Sequence, residues 1–198
     1  FNKIRNRLLK LITMSPELSN IKNNIDVITQ QVISEMHDEI PTYKLDELAA
    51  DIAIGKYTIH PEYDTLASRI VINNLHKNTL DIFSDKIEIL KQENRVSNEL
   101  YNIVMNNQEL FNSKIDYNKD YEFNYFGFKT LERAYLLRTE EQNIVERIQD
   151  LLMRVSIGLH GDNIEKILET FELMSNKYFI MATPCLFNSG TPNNQLLS

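Results

Sequence analysis

The sequence predicts a mainly α-helical protein that turns towards a strand only near its end. Apolar residues recur at three- and four-residue spacing through most of the chain, the period of a helix with one buried face. Only after Asn176 does that period give way to the short apolar run YFIMATP, which reads as a strand entering a loop, the signature of an α/β unit. At 198 residues, 42% hydrophobic and 25% charged, the chain can bury the core of one or two domains.

Ile4, Leu8 and Leu11 share one side of a first helix, and Pro16 stops it soon after. Ile25, Ile28, Val32 and Met36 form a second stripe. A third helix begins near PTYKLDELAAD, where Thr42 can cap the free amides and Leu45, Leu48, Ala49 and Ile52 supply the buried side. Pro61 suits the start of a fourth, with Leu66, Ala67, Ile70 and Val71 pointing inward.

The charged stretch DKIEILKQENRVSNEL reads as a solvated connection, followed by an amphipathic helix from Leu100 to Phe111. The aromatic density of YEFNYFGF predicts a buried extended or tightly turned segment around Gly127, with a helix starting at TLERAYLL. Ile148, Leu151, Leu152, Val155 and Leu159 mark a further helix. Asp162 and Glu165 stand as a capping box before a last one with Ile164, Leu168, Phe171 and Met174 inside.

Twenty-one basic against 28 acidic residues give a net charge of −7, which argues against a nucleic-acid surface, although a small phosphate ligand needs only two or three donors. No apolar run is long enough to span a bilayer and no leader pattern opens the chain, so the expectation is a soluble, cytoplasmic protein without a membrane partner. The single cysteine, Cys185, allows no internal disulfide and suits a reducing compartment. Phe at position 1 and the abrupt close at Ser198 predict that the stretch is part of a longer protein.

Glycine-rich phosphate loops, paired-cysteine metal sites and HExxH are absent from the sequence, and His37, His60, His76 and His160 are isolated along it. Two sets of polar residues stand out. Asn2, Lys3, Thr42, Asp46 and Lys77 lie at predicted helix ends, where amides and lysines can hold a phosphate, although from pattern alone a cap and ordinary surface charges are the preferable explanation. Thr183, Asn188, Ser189, Gly190, Thr191 and Ser198 follow the predicted strand, where ligands bind in α/β folds, although turn chemistry accounts for Gly190 and Pro192. Cys185, flanked by Pro184 and Leu186, reads as a structural thiol.

FNYFGFKTLERAYLLR, LLMRVSIGLH and TPCLFNSGTPNNQL, in that order, closely resemble the large subunit of class I ribonucleoside-diphosphate reductase, of the eukaryotic and large-DNA-virus type. KLDELAAD and HPEYDTLASRIVINNLHK extend the likeness over essentially the whole chain. The resemblance implies three parts: a helical ATP cone over 1–80 without its opening hairpin, a helical region over 81–176, and over 177–198 the first strand of a ten-stranded α/β barrel with a substrate loop.

It also implies that Phe1, Asn2, Lys3, Thr42, Asp46 and Lys77 contact the allosteric effectors ATP and dATP, with Arg7 as a neighbour, and that Thr183 and Ser198 contact the ribonucleoside diphosphate substrate. The full protein would then reduce ribonucleoside diphosphates to deoxyribonucleoside diphosphates for DNA replication, by a radical mechanism. Its small-subunit partner would hold the metal and tyrosyl radical; this subunit would hold no metal, would assemble as a homodimer or higher oligomer, and would be re-reduced by a thioredoxin or glutaredoxin-type protein. The redox and radical cysteines would lie beyond residue 198, so the stretch holds no catalytic residue by this reading and would be inactive alone. If the source is viral, the location is the host cytoplasm. Leu197 stands where most relatives have serine, and Ile148 where they have proline. The competing reading is a stand-alone helical nucleotide-sensing module; a helical scaffold would fit the first 175 residues by pattern alone.

Overall fold

The computed structural model describes residues 2–13, 15–36 and 41–197. They fall into two compact units, Phe1–Leu75 with Phe123–Lys129, and His76–Glu122 with Thr130–Ser198.

In the first unit, α1 (Asn2–Thr13), α2 (Ile25–Glu35), α3 (Thr42–Gly55) and most of α4 (Glu62–Asn78) lie on the apolar stripes in the sequence, although Ile4, Leu11, Leu45 and Leu48 are only half-buried and Met36 lies past α2, 37% exposed. Leu8 and Ile12 of α1 are buried, as are Ile25, Ile28 and Val32 of α2, and Leu66, Ala67, Ile70 and Val71 of α4. Ala49, Ala50 and Ala53 give α3 a small-residue face that lets it pack closely in the core. The segment 123–129 joins this unit: the Ser68 hydroxyl donates to the Phe123 carbonyl at 2.8 Å, and the Tyr125 hydroxyl donates to Asp51 at 2.8 Å. The predicted cap on α3 shifts by one residue. Pro41 occupies the position before the first helical residue, its carbonyl accepting from Lys44 and Leu45, so Thr42 begins the helix.

The second unit is built around α9 (Ile148–His160), in which every residue from Ile148 to Ile157 is buried. Around it in the chain come α5 (Phe83–Gln92), α6 (Asn98–Asn106), α7 (Gln108–Lys114), a 3₁₀ segment Tyr117–Glu122, the C-terminal part of α8 (Tyr125–Ala134), α10 (Ile164–Ser175) and α11 (Thr183–Asn188).

Several expectations are corrected here. The supposed solvated connection is structured: Phe83, Ile87, Leu90 and Val96 are core residues, and Ser97 caps α6 by accepting from the Leu100 N–H at 3.1 Å. The aromatic run is not extended. It passes from the 3₁₀ segment into α8, with Gly127 inside the helix, Phe128 buried and Phe126 78% exposed. Asn163, rather than Asp162, caps α10.

The largest correction is the strand. No β-strand, sheet or barrel element occurs among the described residues; their one bridge is an isolated antiparallel pairing of Arg138 with Ile144. After α10 the chain turns through Lys177 at φ 62°, and the Tyr178 N–H reaches back to the Leu173 carbonyl at 3.0 Å. Tyr178 and Ile180 then stand 77% and 55% exposed, and Thr183–Asn188, read as a loop, is a helix with Pro184 in its first turn. An extended apolar run becomes a strand only when a neighbour accepts its ladder of hydrogen bonds, and no other described segment is a strand that could do so.

A helix buried along this much of its length must satisfy its own polar side chains internally. Asp150, in the first turn of α9, accepts from the Arg147 N–H at 2.7 Å and the Tyr117 hydroxyl at 2.5 Å, and pairs with the Lys86 ammonium; Lys86 and Asp150 are fully buried. Replacing Asp150 by Ala strands the Lys86 charge and is expected to destabilise the chain by about 3–5 kcal/mol, read as a lowered midpoint in urea denaturation. Replacing both partners together, as Lys86→Met with Asp150→Leu, should cost less than Asp150→Ala alone.

Candidate functional site

The predicted effector residues in the first unit form two short columns. Lys3 and Arg7 are four residues apart on α1 and so share a face, as do Thr42 and Asp46 on α3. The Arg7 guanidinium pairs with the Asp46 carboxylate and joins the columns; Asp46 is only 6% exposed. Asn2 and Lys3, both exposed, sit at the N-terminal end of α1. The structure thus brings Arg7 and Asp46 together, with Lys3 and Thr42 each four residues before them on the same helix. Lys77 lies at the end of α4 in the second unit, and Phe1 is outside the described residues. The tie to Asp46 is the contact that sequence pattern alone missed, because 39 residues separate the partners.

In the second unit the predicted substrate residue Thr183 opens α11, exposed, with its hydroxyl 3.1 Å from that of Tyr135. Ser198 lies outside the described residues. Arg154 of α9 fixes this short helix from below. Its side chain is fully buried and doubly bonded to the equally buried Glu146, Nε to Oε1 at 2.6 Å and Nη2 to Oε2 at 3.2 Å. The remaining donors reach the carbonyls of Ser189 at 2.7 Å and Leu186 at 3.3 Å, so the guanidinium satisfies the C-terminal end of α11. Glu146 also accepts from the Leu137 N–H at 2.9 Å, close in the chain to Tyr135.

Two glycines complete the seat. Gly190 has φ 75°, a conformation that favours glycine. Its carbonyl accepts from the Ser97 N–H at 2.9 Å. A Cβ on Gly158 of α9 would come within 2.8 Å of the Gly190 Cα. Cys185, on α11, is half-buried with its thiol 3.6 Å from the Leu196 carbonyl, a contact that needs no reactive role.

The network at the start of α9 has shifted ionisation. Burial holds the Lys86 ammonium below its usual range against the pull of Asp150, and burial, reinforced by Asp150, pushes the Tyr117 phenol up. Burial also raises the Asp120 carboxyl, opposed by its 2.8 Å bond to His76, while Arg147 holds exposed Asp81 below the usual carboxylate range. Each of these groups has a protein partner, so the network is structural. Among the described residues no three His, Cys, Asp or Glu side chains converge as metal ligands, and no helix is long and apolar enough to cross a membrane.

Comparison with known proteins adds to this geometry. The ATP cone domain family matches residues 1–78, and the family described as ribonucleotide reductase, all-alpha domain, matches 121–194. The chain is 45% identical over 210 residues to the ribonucleoside-diphosphate reductase large chain 2 of Saccharomyces cerevisiae, an alignment covering 100% of this chain and 23% of the yeast protein. It is 49% identical over 179 residues to the ribonucleoside-diphosphate reductase large subunit of Plasmodium falciparum (isolate Dd2), covering 86% and 22%, and 44% identical over 208 residues to that of Dictyostelium discoideum, covering 100% and 24%. The chain therefore spans less than a quarter of the length of each of these relatives.

Gly158→Ala is expected to destabilise the second unit by about 1–3 kcal/mol, because the added methyl meets backbone that cannot rotate away. Thermal denaturation checks the loss. Faster amide exchange at Ser189 and Thr191 in the variant checks that it arises at the seat of α11.

Proposed function

The chain belongs to the large-subunit family of class I ribonucleoside-diphosphate reductase, and from that premise we propose that it supplies the nucleotide-sensing cone and part of the substrate site of such an enzyme. The observation that carries the reading is the ordered pair of family matches, cone first and all-alpha domain second, on a chain about 45% identical to a full reductase subunit along its whole length.

The cone reading divides the chain at about residue 80, with a helical region to 176 and a substrate loop over 177–198. The first part binds ATP or dATP. Lys3 neutralises phosphate charge at the end of α1, and Thr42 supplies a hydroxyl and a free amide at the start of α3. Asp46, held in place by Arg7, accepts from the sugar or base of the nucleotide; Asn2 and Phe1 border the same end of α1, and Lys77 adds a further cation. A carboxylate near a polyphosphate is tolerable here because its charge is already matched by the guanidinium beside it.

Thr183 and Ser198 hold the ribonucleoside diphosphate. The Thr183 hydroxyl is supported by Tyr135, which orients it to donate to a phosphate or sugar oxygen without placing a buried charge beside the substrate. The reduction itself replaces the ribose 2′ hydroxyl by hydrogen and releases water, with two thiols oxidised to a disulfide. The small subunit supplies the radical that starts it, and a dithiol protein restores the thiols; none of these redox groups is assigned to this chain.

Isothermal titration tests the cone. ATP and dATP are expected to give saturable heat with the chain, and Lys3→Ala, an exposed change that leaves the fold intact, to weaken ATP about tenfold. The absence of heat with both nucleotides would overturn the effector reading.

A further inference from the structure

The second unit carries a cationic depression of about 250 Å³ whose arginines the reductase reading does not use. Arg95, Arg133 and Arg138 line it, with Thr139 between them and the Tyr135 and Phe187 rings in its wall, their centroids 4.7 Å apart and planes tilted by 47°. In a chain of net charge −7 this convergence runs against the average.

None of the three arginines pairs with a carboxylate among the described residues. The Glu93 carboxylate, two residues before Arg95, is engaged instead by the Glu140 N–H at 2.9 Å. The Arg95 Nε is buried without an acceptor, an unmet donor in the same side chain that borders the depression. Arg138 is held ready: its Nη1 donates to the Gln142 carbonyl at 3.2 Å and its Nη2 to the Glu132 carbonyl at 2.8 Å, which fixes the plane of the guanidinium and leaves further N–H groups free. Arg133 is exposed at the rim.

We propose that this depression is an anion-binding site for a diphosphate group. Guanidinium forks match phosphate oxygens in pairs, and three of them offset the charge that one alone would leave unbalanced. The aromatic wall gives room for the organic part of a phosphate ester, and the Tyr135 hydroxyl, touching Thr183, connects the site to the seat of α11. The site shares no residue with the effector set, so its failure leaves the cone reading unaffected.

The test is a titration of the chain with inorganic pyrophosphate at constant ionic strength, followed through the arginine Nε–Hε resonances in NMR. The Arg95, Arg133 and Arg138 signals should shift and saturate together, Arg133→Gln should weaken binding about tenfold, and Arg5→Gln, in the first unit, should leave it unchanged. If ADP displaces pyrophosphate at the same signals, the diphosphate comes from an organic ester; if it does not, from the free anion. Shifts that fail to saturate, or an affinity unchanged in both Arg133→Gln and Arg138→Gln, would overturn the site.

Discussion

The second unit depends on one constraint: α9 has no solvent-facing side over ten consecutive residues, from Ile148 to Ile157, yet Gln149, Asp150, Arg154 and Ser156 are among them. A buried ion without a partner costs several kcal/mol, so the fold must bring partners to each. Lys86 and Tyr117 come to Asp150, Glu146 to Arg154, Ser175 to Gln149 at 2.7 Å, and the Ser156 hydroxyl turns back to the Leu152 carbonyl at 2.8 Å. These demands fix where α5, the 3₁₀ segment and α10 can lie. They also set the position of Thr183, because the guanidinium that Glu146 neutralises is the one that holds the end of α11.

In the first unit the core is ordinary helix packing, and the polar contribution is concentrated in one pair. Arg7 and Asp46 tie α1 to α3, each four residues past Lys3 and Thr42 on its own helix. Asp46 is only 6% exposed, and Arg7 beside it supplies the counter-charge that a nearly buried carboxylate needs.

The helices of the first unit were legible because their buried faces keep a clean three- and four-residue period: Ile25, Ile28 and Val32, then Leu66, Ala67, Ile70 and Val71. The same held for α9. Pattern failed at α5, since a lysine reads as solvated and the partner that lets Lys86 be buried lies 64 residues away. It failed again at YFIMATP, whose local preference for a strand needs a second strand to be realised, and at Arg133, Arg138 and Arg95, whose convergence is a product of the fold alone. Of the candidate sites, the two columns on α1 and α3 could be named from a family likeness, but the Arg7–Asp46 tie and the Arg154 seat beneath Thr183 emerge only in three dimensions.

The central claim is that the α1–α3 face is where this chain senses a nucleotide. Hydrogen–deuterium exchange with and without ATP tests it most directly, because it reports which segments the nucleotide orders. The account predicts slower exchange in Asn2–Thr13 and in the first turns of Thr42–Gly55. Unchanged exchange in both segments at saturating ATP would contradict it.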